Sequence, residues 1–147
     1  MAIKGYGVKF SISTDDGSTY SEIGEITDLT PPSISKDTIE TTSHGTSGIR
    51  TYVGGLVDFG EMSVTVNLDP DVADTGAKNH VDLRALAKTP NDDPVASTYK
   101  FKIEYADSTA SIDTFRGVVT SYEASAPIDG VLSATFTIKV SGEITYT

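Results

Sequence analysis

The side chains suited to nucleophilic, general-base or metal chemistry are few in this 147-residue chain: 2 His, a Ser beside one of them, and three closely spaced Asp. His44 follows Ser43 directly, but a base must face the hydroxyl it deprotonates, and sequence neighbours rarely do. No G-x-S-x-G elbow presents a nucleophile. His80 falls on the stripe of a helical pattern and reads as a packed or capping side chain. Asp69, Asp71 and Asp74 resemble the opening of a calcium loop, yet Ala73 stands at the third ligand position and no Glu follows at the required distance. They read instead as a strand end and a helix N-terminus, where acids favour the dipole. Neither Gly5-Tyr6-Gly7 nor Gly54-Gly55 opens a helix after a strand, so neither forms a phosphate loop. With 0 Cys there is no thiolate, no disulfide and no Cys-based zinc site. The sequence therefore predicts no enzyme, with no catalytic, metal-binding or cofactor-binding residue.

Charge narrows the partners. The chain carries 11 basic and 21 acidic residues for a net −10, and its isoelectric point is near 4.4. Sequence-specific DNA binding and docking on anionic membranes both need clustered Lys and Arg, which this balance does not provide. No apolar run approaches the roughly 18 residues of a membrane span, and nothing at the N-terminus marks export. The absence of Cys fits synthesis in a reducing cytoplasm.

Positioning is the task of strands. Tyr6, Val8, Phe10 and Ile12 share one parity, and Asp15-Asp16-Gly17 supplies a hairpin turn into a strand from Tyr20 to Thr27. Pro31-Pro32 interrupts the ladder before a strand from about Ile34 to Thr41. Met62, Val64, Val66 and Leu68 alternate with Glu61, Ser63, Thr65 and Asn67. Tyr99 to Tyr105, Phe115 to Glu123 and a long segment from Leu132 to Tyr146 continue the pattern, with Gly142 suggesting a bulge or a close backbone approach. Helical spacing is confined to residues 76–88, capped by Asp74 or Thr75 and ended by Thr89-Pro90. Asn91-Asp92-Asp93-Pro94 reads as a turn. The prediction is a mainly β chain: a single domain over residues 1–147, with seven or eight strands as an antiparallel β-sandwich or barrel-like sheets and one flanking α-helix.

Residues 42–60 break the pattern. They form a long Gly-rich arm that nevertheless carries Ile49, Tyr52, Val53, Leu56 and Phe59. Long loops in compact domains are usually functional, and apolar side chains on a flexible arm want a covering surface, either the chain's own core or another subunit.

Two stretches resemble the major tail tube proteins of long-tailed, siphovirus-type bacteriophages. In the first, an extended strand with Asp37, Ile39, Glu40 and Thr42 precedes the Gly-rich arm. A Y-x-x-G-L-x-D-x-G-E segment follows (Tyr52, Gly55, Leu56, Asp58, Gly60, Glu61), then an alternating strand ending in Asp69-Pro70. In the second, an F-x-G-x-V strand beginning at Phe115, a Pro-bearing link and a strand terminating in Ser141-Gly142 match the C-terminal half. Together they cover more than half of the chain.

The resemblance implies a virion structural protein, assembled in the host bacterial cytoplasm into six-fold rings that stack as a hollow tail tube. The implied partners are further copies of the chain, a tape-measure protein, tail terminator and tail-tip or baseplate proteins, and double-stranded DNA passing without sequence-specific binding. It gives the arm a role as a subunit contact through Ile49, Arg50, Tyr52, Val53, Leu56, Asp58 and Phe59. A bore needs small polar side chains with some acids, which the face Glu61, Ser63, Thr65 and Asn67 offers; the same face also suits an outer surface. The rival reading is a monomeric β-sandwich binding module, such as a phage decoration or adhesin domain.

Overall fold

A computed structural model describes residues 2, 5–24, 26–45, 48–68, 80–90 and 99–147. In chain order the strands are β1 (Lys9–Ser13), β2 (Ser21–Ile23), β3 (Ile26–Thr30), β4 (Ser35–Glu40), β5 (Tyr52–Asp58) and β6 (Glu61–Asn67). After helix α1 (His80–Lys88) come β7 (Lys100–Glu104), β8 (Ile112–Ser125) and β9 (Ser133–Tyr146). Seven strands form one sheet in the order β2-β1-β7-β8-β9-β6-β3, and β4 and β5 pair separately. Every pairing is antiparallel.

The edge strands β2 and β3 are consecutive in the chain. From Ile23 to Ile26 the backbone can span at most about 11 Å, so the two edges of the sheet approach each other at this end. The sheet is therefore curled into an open barrel, the barrel-like form of the expected architecture. The sequence pattern joined Tyr20 to Thr27 as one strand, and here the structure differs. Ile23 and Ile26 are three residues apart and fall out of phase, because Ile23 ends one edge strand and Ile26 begins the other.

Alternation decides what fills the interior. Phe10, Ile12, Phe101, Ile103, Phe115, Met62, Val64, Val66, Phe136 and Ile138 all point into one apolar cluster. Phe10 and Phe101 stack with ring centres 5.8 Å apart, and Phe101 and Phe115 at 5.7 Å. A bulge between Val119 and Ser121 re-phases β8, which brings Tyr122 onto the inner face against the Phe136 ring. Gly142 has φ of +84° and lies where β9 slips two residues against β8 between Thr114 and Arg116, so of the two readings the sequence allowed, a bulge or a close backbone approach, the bulge is the one present.

Helix α1 buries Leu83 and Leu86 in the same cluster. It ends where expected: Thr89 Oγ1 donates to the Ala85 carbonyl at 3.0 Å, its amide donates to Leu86, and Pro90 follows. The expected first turn at 76–79, its caps Asp74 and Thr75, the Asp69, Asp71 and Asp74 group, and the 91–94 turn all lie outside the described residues. The β1–β2 turn is held by Ser13, whose hydroxyl donates to Asp15 at 2.7 Å and accepts from the Gly17 amide at 2.9 Å. Asp16, itself at positive φ, binds Arg116 of β8 and lies 3.6 Å from Lys100 of β7.

Gly117 belongs to the F-x-G-x-V motif and faces inward. A Cβ there would lie 2.7 Å from the Lys139 carbonyl oxygen and 2.9 Å from Ile138 Cγ2. Gly117→Ala should therefore force β8 from β9 and cost about 1–3 kcal/mol. The check is a urea titration, in which the midpoint falls while the slope is unchanged.

Candidate functional site

Strands β4 and β5 form a two-stranded ribbon that lies apart from the barrel. It is the larger part of what the sequence presented as a loop: the arm from 42 to 60 contains a strand, and that strand pairs with β4 before it. Pairs run from Ser35 with Asp58 to Glu40 with Tyr52, with a bulge on β5 between Gly54 and Val57. Beyond them the Thr41 amide donates to the Thr51 carbonyl at 2.8 Å, and the Thr51 amide to Thr42 Oγ1 at 3.0 Å.

Neither face of the ribbon is covered. Directly opposed residues share a face, so Ile39 and Val53 stand on one side, with Tyr52 and Val57 on the other. Seven of the eleven large apolar side chains exposed among the described residues lie between Ile34 and Val57. Leu56 is 82% exposed and Ile49, at the ribbon's far end, 69%. A lone two-stranded ribbon is marginal in water, and exposed apolar side chains in this number make it a candidate contact surface. Ser43 and His44 lie exposed near the same end.

The root of the ribbon is built differently. Asp58 accepts hydrogen bonds from the Gly60 amide at 2.9 Å and from Lys139 Nζ at 3.0 and 3.2 Å. Gly60 adopts φ of +63°, where a Cβ would lie 2.9 Å from Ser33 Oγ, and its carbonyl accepts from the Val140 amide at 3.0 Å. Phe59 is half-buried and packs against the core. Of the arm residues singled out in the sequence, Ile49, Arg50, Tyr52, Val53 and Leu56 thus stand exposed, while Asp58 and Phe59 fasten the ribbon to its own subunit. The D-x-G-E motif encodes this clasp.

A second surface lies on the outer side of the barrel. The β6 face Glu61, Ser63, Thr65 and Asn67 is flanked by β9, where Lys139, Thr137, Thr135 and Ser133 stand directly opposite. Ser121, Glu123 and Ser125 of β8 extend the rows, and Asp28 and Thr30 of β3 close them. Thr65 and Thr135 hydroxyls meet at 3.1 Å. The result is a broad face of small hydroxyl side chains edged with carboxylates, whose Lys139 already holds Asp58. Sequence reasoning found one strand of this face; the alternation of Ser133, Thr135 and Thr137 with Ala134, Phe136 and Ile138 could have extended it.

A sequence model of the lambda phage tail tube protein family (TTP) matches residues 4–147. The chain belongs to the lambda phage tail tube protein family. Solved structures agree in fold. The tail of an empty gene transfer agent particle aligns with a TM-score of 0.74 at 17% identity, over 99% of both chains. A chain of the anti-feeding prophage baseplate gives 0.72 at 8% identity, over 100% of this chain and 96% of that one. The SPP1 tail tube gives 0.64 at 16% identity, over 99% of this chain and 78% of the other. No curated protein sequence matches the chain. Membership makes this tail tube protein a structural component of phage or phage-like tails.

In this tail tube protein the Asp58 carboxyl is held below the usual carboxylate range, first by the Gly60 amide and then by Lys139. A carboxyl depressed on folding stabilises the clasp fully above its ordinary value, about 3.9, and loses that contribution as pH falls through the folded value. A carbon-detected NMR titration of Asp58 should give a midpoint below about 3.9, raised by Lys139→Met. An ordinary midpoint in both proteins would remove the clasp.

Proposed function

We propose that this chain closes into six-fold rings, stacked as a hollow tube that houses a tape-measure protein and later conducts double-stranded DNA without reading its sequence. The observation that carries this reading is the β4–β5 ribbon, with apolar side chains on both faces and, among the described residues, no strand paired to either edge. Such a surface gains by burial against another copy, and a heterologous contact repeated by rotation closes a ring. Ile49, Arg50, Tyr52, Val53 and Leu56 make the contact, while Asp58 and Phe59 hold the ribbon in position for it. The tube ends against terminator and tip or baseplate proteins, assembly takes place in the host cytoplasm, and the chain has no enzymatic role.

The hydroxyl face of β6, β9 and β8 lines the bore in this proposal. Uncharged hydroxyls and scattered acids do not retain a polyanion, whereas a basic lining would hold DNA by counterion release.

Light scattering and negative-stain imaging of the purified protein should show monomers converting to tubes of uniform diameter as concentration rises. Tyr52→Ser with Leu56→Ser should leave a folded monomer that does not convert, because both side chains are exposed in the free subunit. Unfolding of that variant would make the ribbon part of the subunit's own core. A protein that stays monomeric at every concentration and with tail-tip extract would instead be a binding module.

Glu61→Lys with Asn67→Lys tests the lining. Exposed charge changes usually cost within about 0.5 kcal/mol, so tubes should still form. DNA release from particles carrying the variant should slow at low salt and recover as salt screens the new charges. Normal release at low salt would place this face elsewhere.

A further inference from the structure

The curl of the barrel leaves a cleft of about 1020 Å³ between its edges, at the foot of β3 and the β7–β8 turn. Its walls are apolar where Val8, Ile26, Leu29 and Pro31 line it, and Glu22 and Asp28 stand on its rim. Both carboxylates are exposed, with no ion pair among the described residues. Lys9 and Asp107 also border it, but Asp107 is occupied by the Ser111 amide and hydroxyl. Among the described residues, acids therefore outnumber cations at this opening. The flanking strands β2 and β3 are the edges of the sheet, so among the described residues each has one side with no strand beside it.

The far end of the ribbon has the opposite character. Ile49 and Arg50 stand there exposed, with no ion pair for Arg50 among the described residues. Pro31, which lines the cleft, lies four residues before β4 begins, so the ribbon springs from beside the cleft. Six extended residues of β4 carry its far end roughly 20 Å along the ribbon. Since Ile49 is 69% exposed, the subunit's own cleft does not hold it.

We infer that the ribbon end of one copy inserts into the edge cleft of the next, Ile49 entering the apolar floor and Arg50 pairing with Glu22 and Asp28. This inference rests on the tail tube reading and names the contact that propagates it. The cleft lies beside the ribbon's root and the tip at its far end, so the contact is directional, and each copy that donates a tip also offers a cleft. Charge complementarity sets the register, because like charges juxtaposed in an interface are strongly penalised.

The chain has 0 Cys, which makes an engineered pair unambiguous. Ile49→Cys with Thr27→Cys, the latter an exposed cleft residue, should on oxidation of assembled tubes give a ladder of covalent oligomers that reduction collapses to monomer. Each single variant should stop at dimers. Tubes that form but yield no ladder beyond the single variants would overturn the contact while leaving the tail tube reading intact. Wild-type protein that never polymerises would defeat both.

Charge reversal gives the second arm. Arg50→Glu should raise the concentration needed for assembly by roughly tenfold, and Glu22→Arg with Asp28→Arg in the same chain should restore it. Circular dichroism of each monomer verifies folding. Assembly indifferent to Arg50→Glu, or not restored in a folded paired variant, would overturn the contact.

Discussion

The antiparallel ladder between β8 and β9 joins the two longest strands of the molecule, fourteen residues each, and their neighbours grip opposite halves of it. β7 pairs with Ile112 to Phe115 at the start of β8. β6 pairs with Ser133 to Lys139 at the start of β9, which lies against the other end of β8. This stagger tilts the strands and obliges the sheet to curl. The curl creates the interior into which the Phe10, Phe101 and Phe115 rings stack, the outward hydroxyl rows, and the two edges that nearly meet. Gly117 matters because it lies on this ladder, where no side-chain atom fits between β8 and β9.

Which parts of this were legible in the sequence follows from which side chains meet two different environments. Met62 to Leu68, Phe101 to Ile103 and Ala134 to Val140 alternate because one face is core and the other solvent, and period two records that contrast. The ribbon has no such contrast. Ile39, Tyr52, Val53 and Leu56 are exposed on every side of the isolated subunit, and with Gly54-Gly55 inside β5 the segment looks like a loop. Its exposed apolar content was readable, and its partner β4 was not recognised as the other half. Parity likewise concealed the break between Ile23 and Ile26 and the re-phasing that brings Tyr122 inward. Gly60, Asp58 and Gly117 stood out as motif positions, but their reasons are distances to Ser33, Lys139 and Ile138, far away in sequence.

Electrostatics divides the work between folding and association. The chain has few cations for its acids, and several are committed within the subunit: Arg116 and Lys100 at Asp16, and Lys139 at Asp58. Those pairs are partly exposed and contribute modestly to stability. Their larger effect is geometric, since they tie the β1–β2 turn to β7 and β8, and the ribbon root to β9. The acids left over give the subunit a net charge of −10, and the mutual repulsion of like-charged copies must be offset by apolar burial wherever they associate.

The clasp at Gly60 has a mechanical consequence. Both strands of the ribbon leave the barrel at one place, with Ser33 against Gly60 and Asp58 held by Lys139, so the ribbon is a cantilever and not a tether. A tether transmits only distance; a cantilever resists torque as well. Any body gripped by the ribbon is therefore held in angle as well as in separation, and small changes at Gly60 become large displacements at Ile49. If copies associate through this element, the angle between them depends on that one residue with a left-handed backbone.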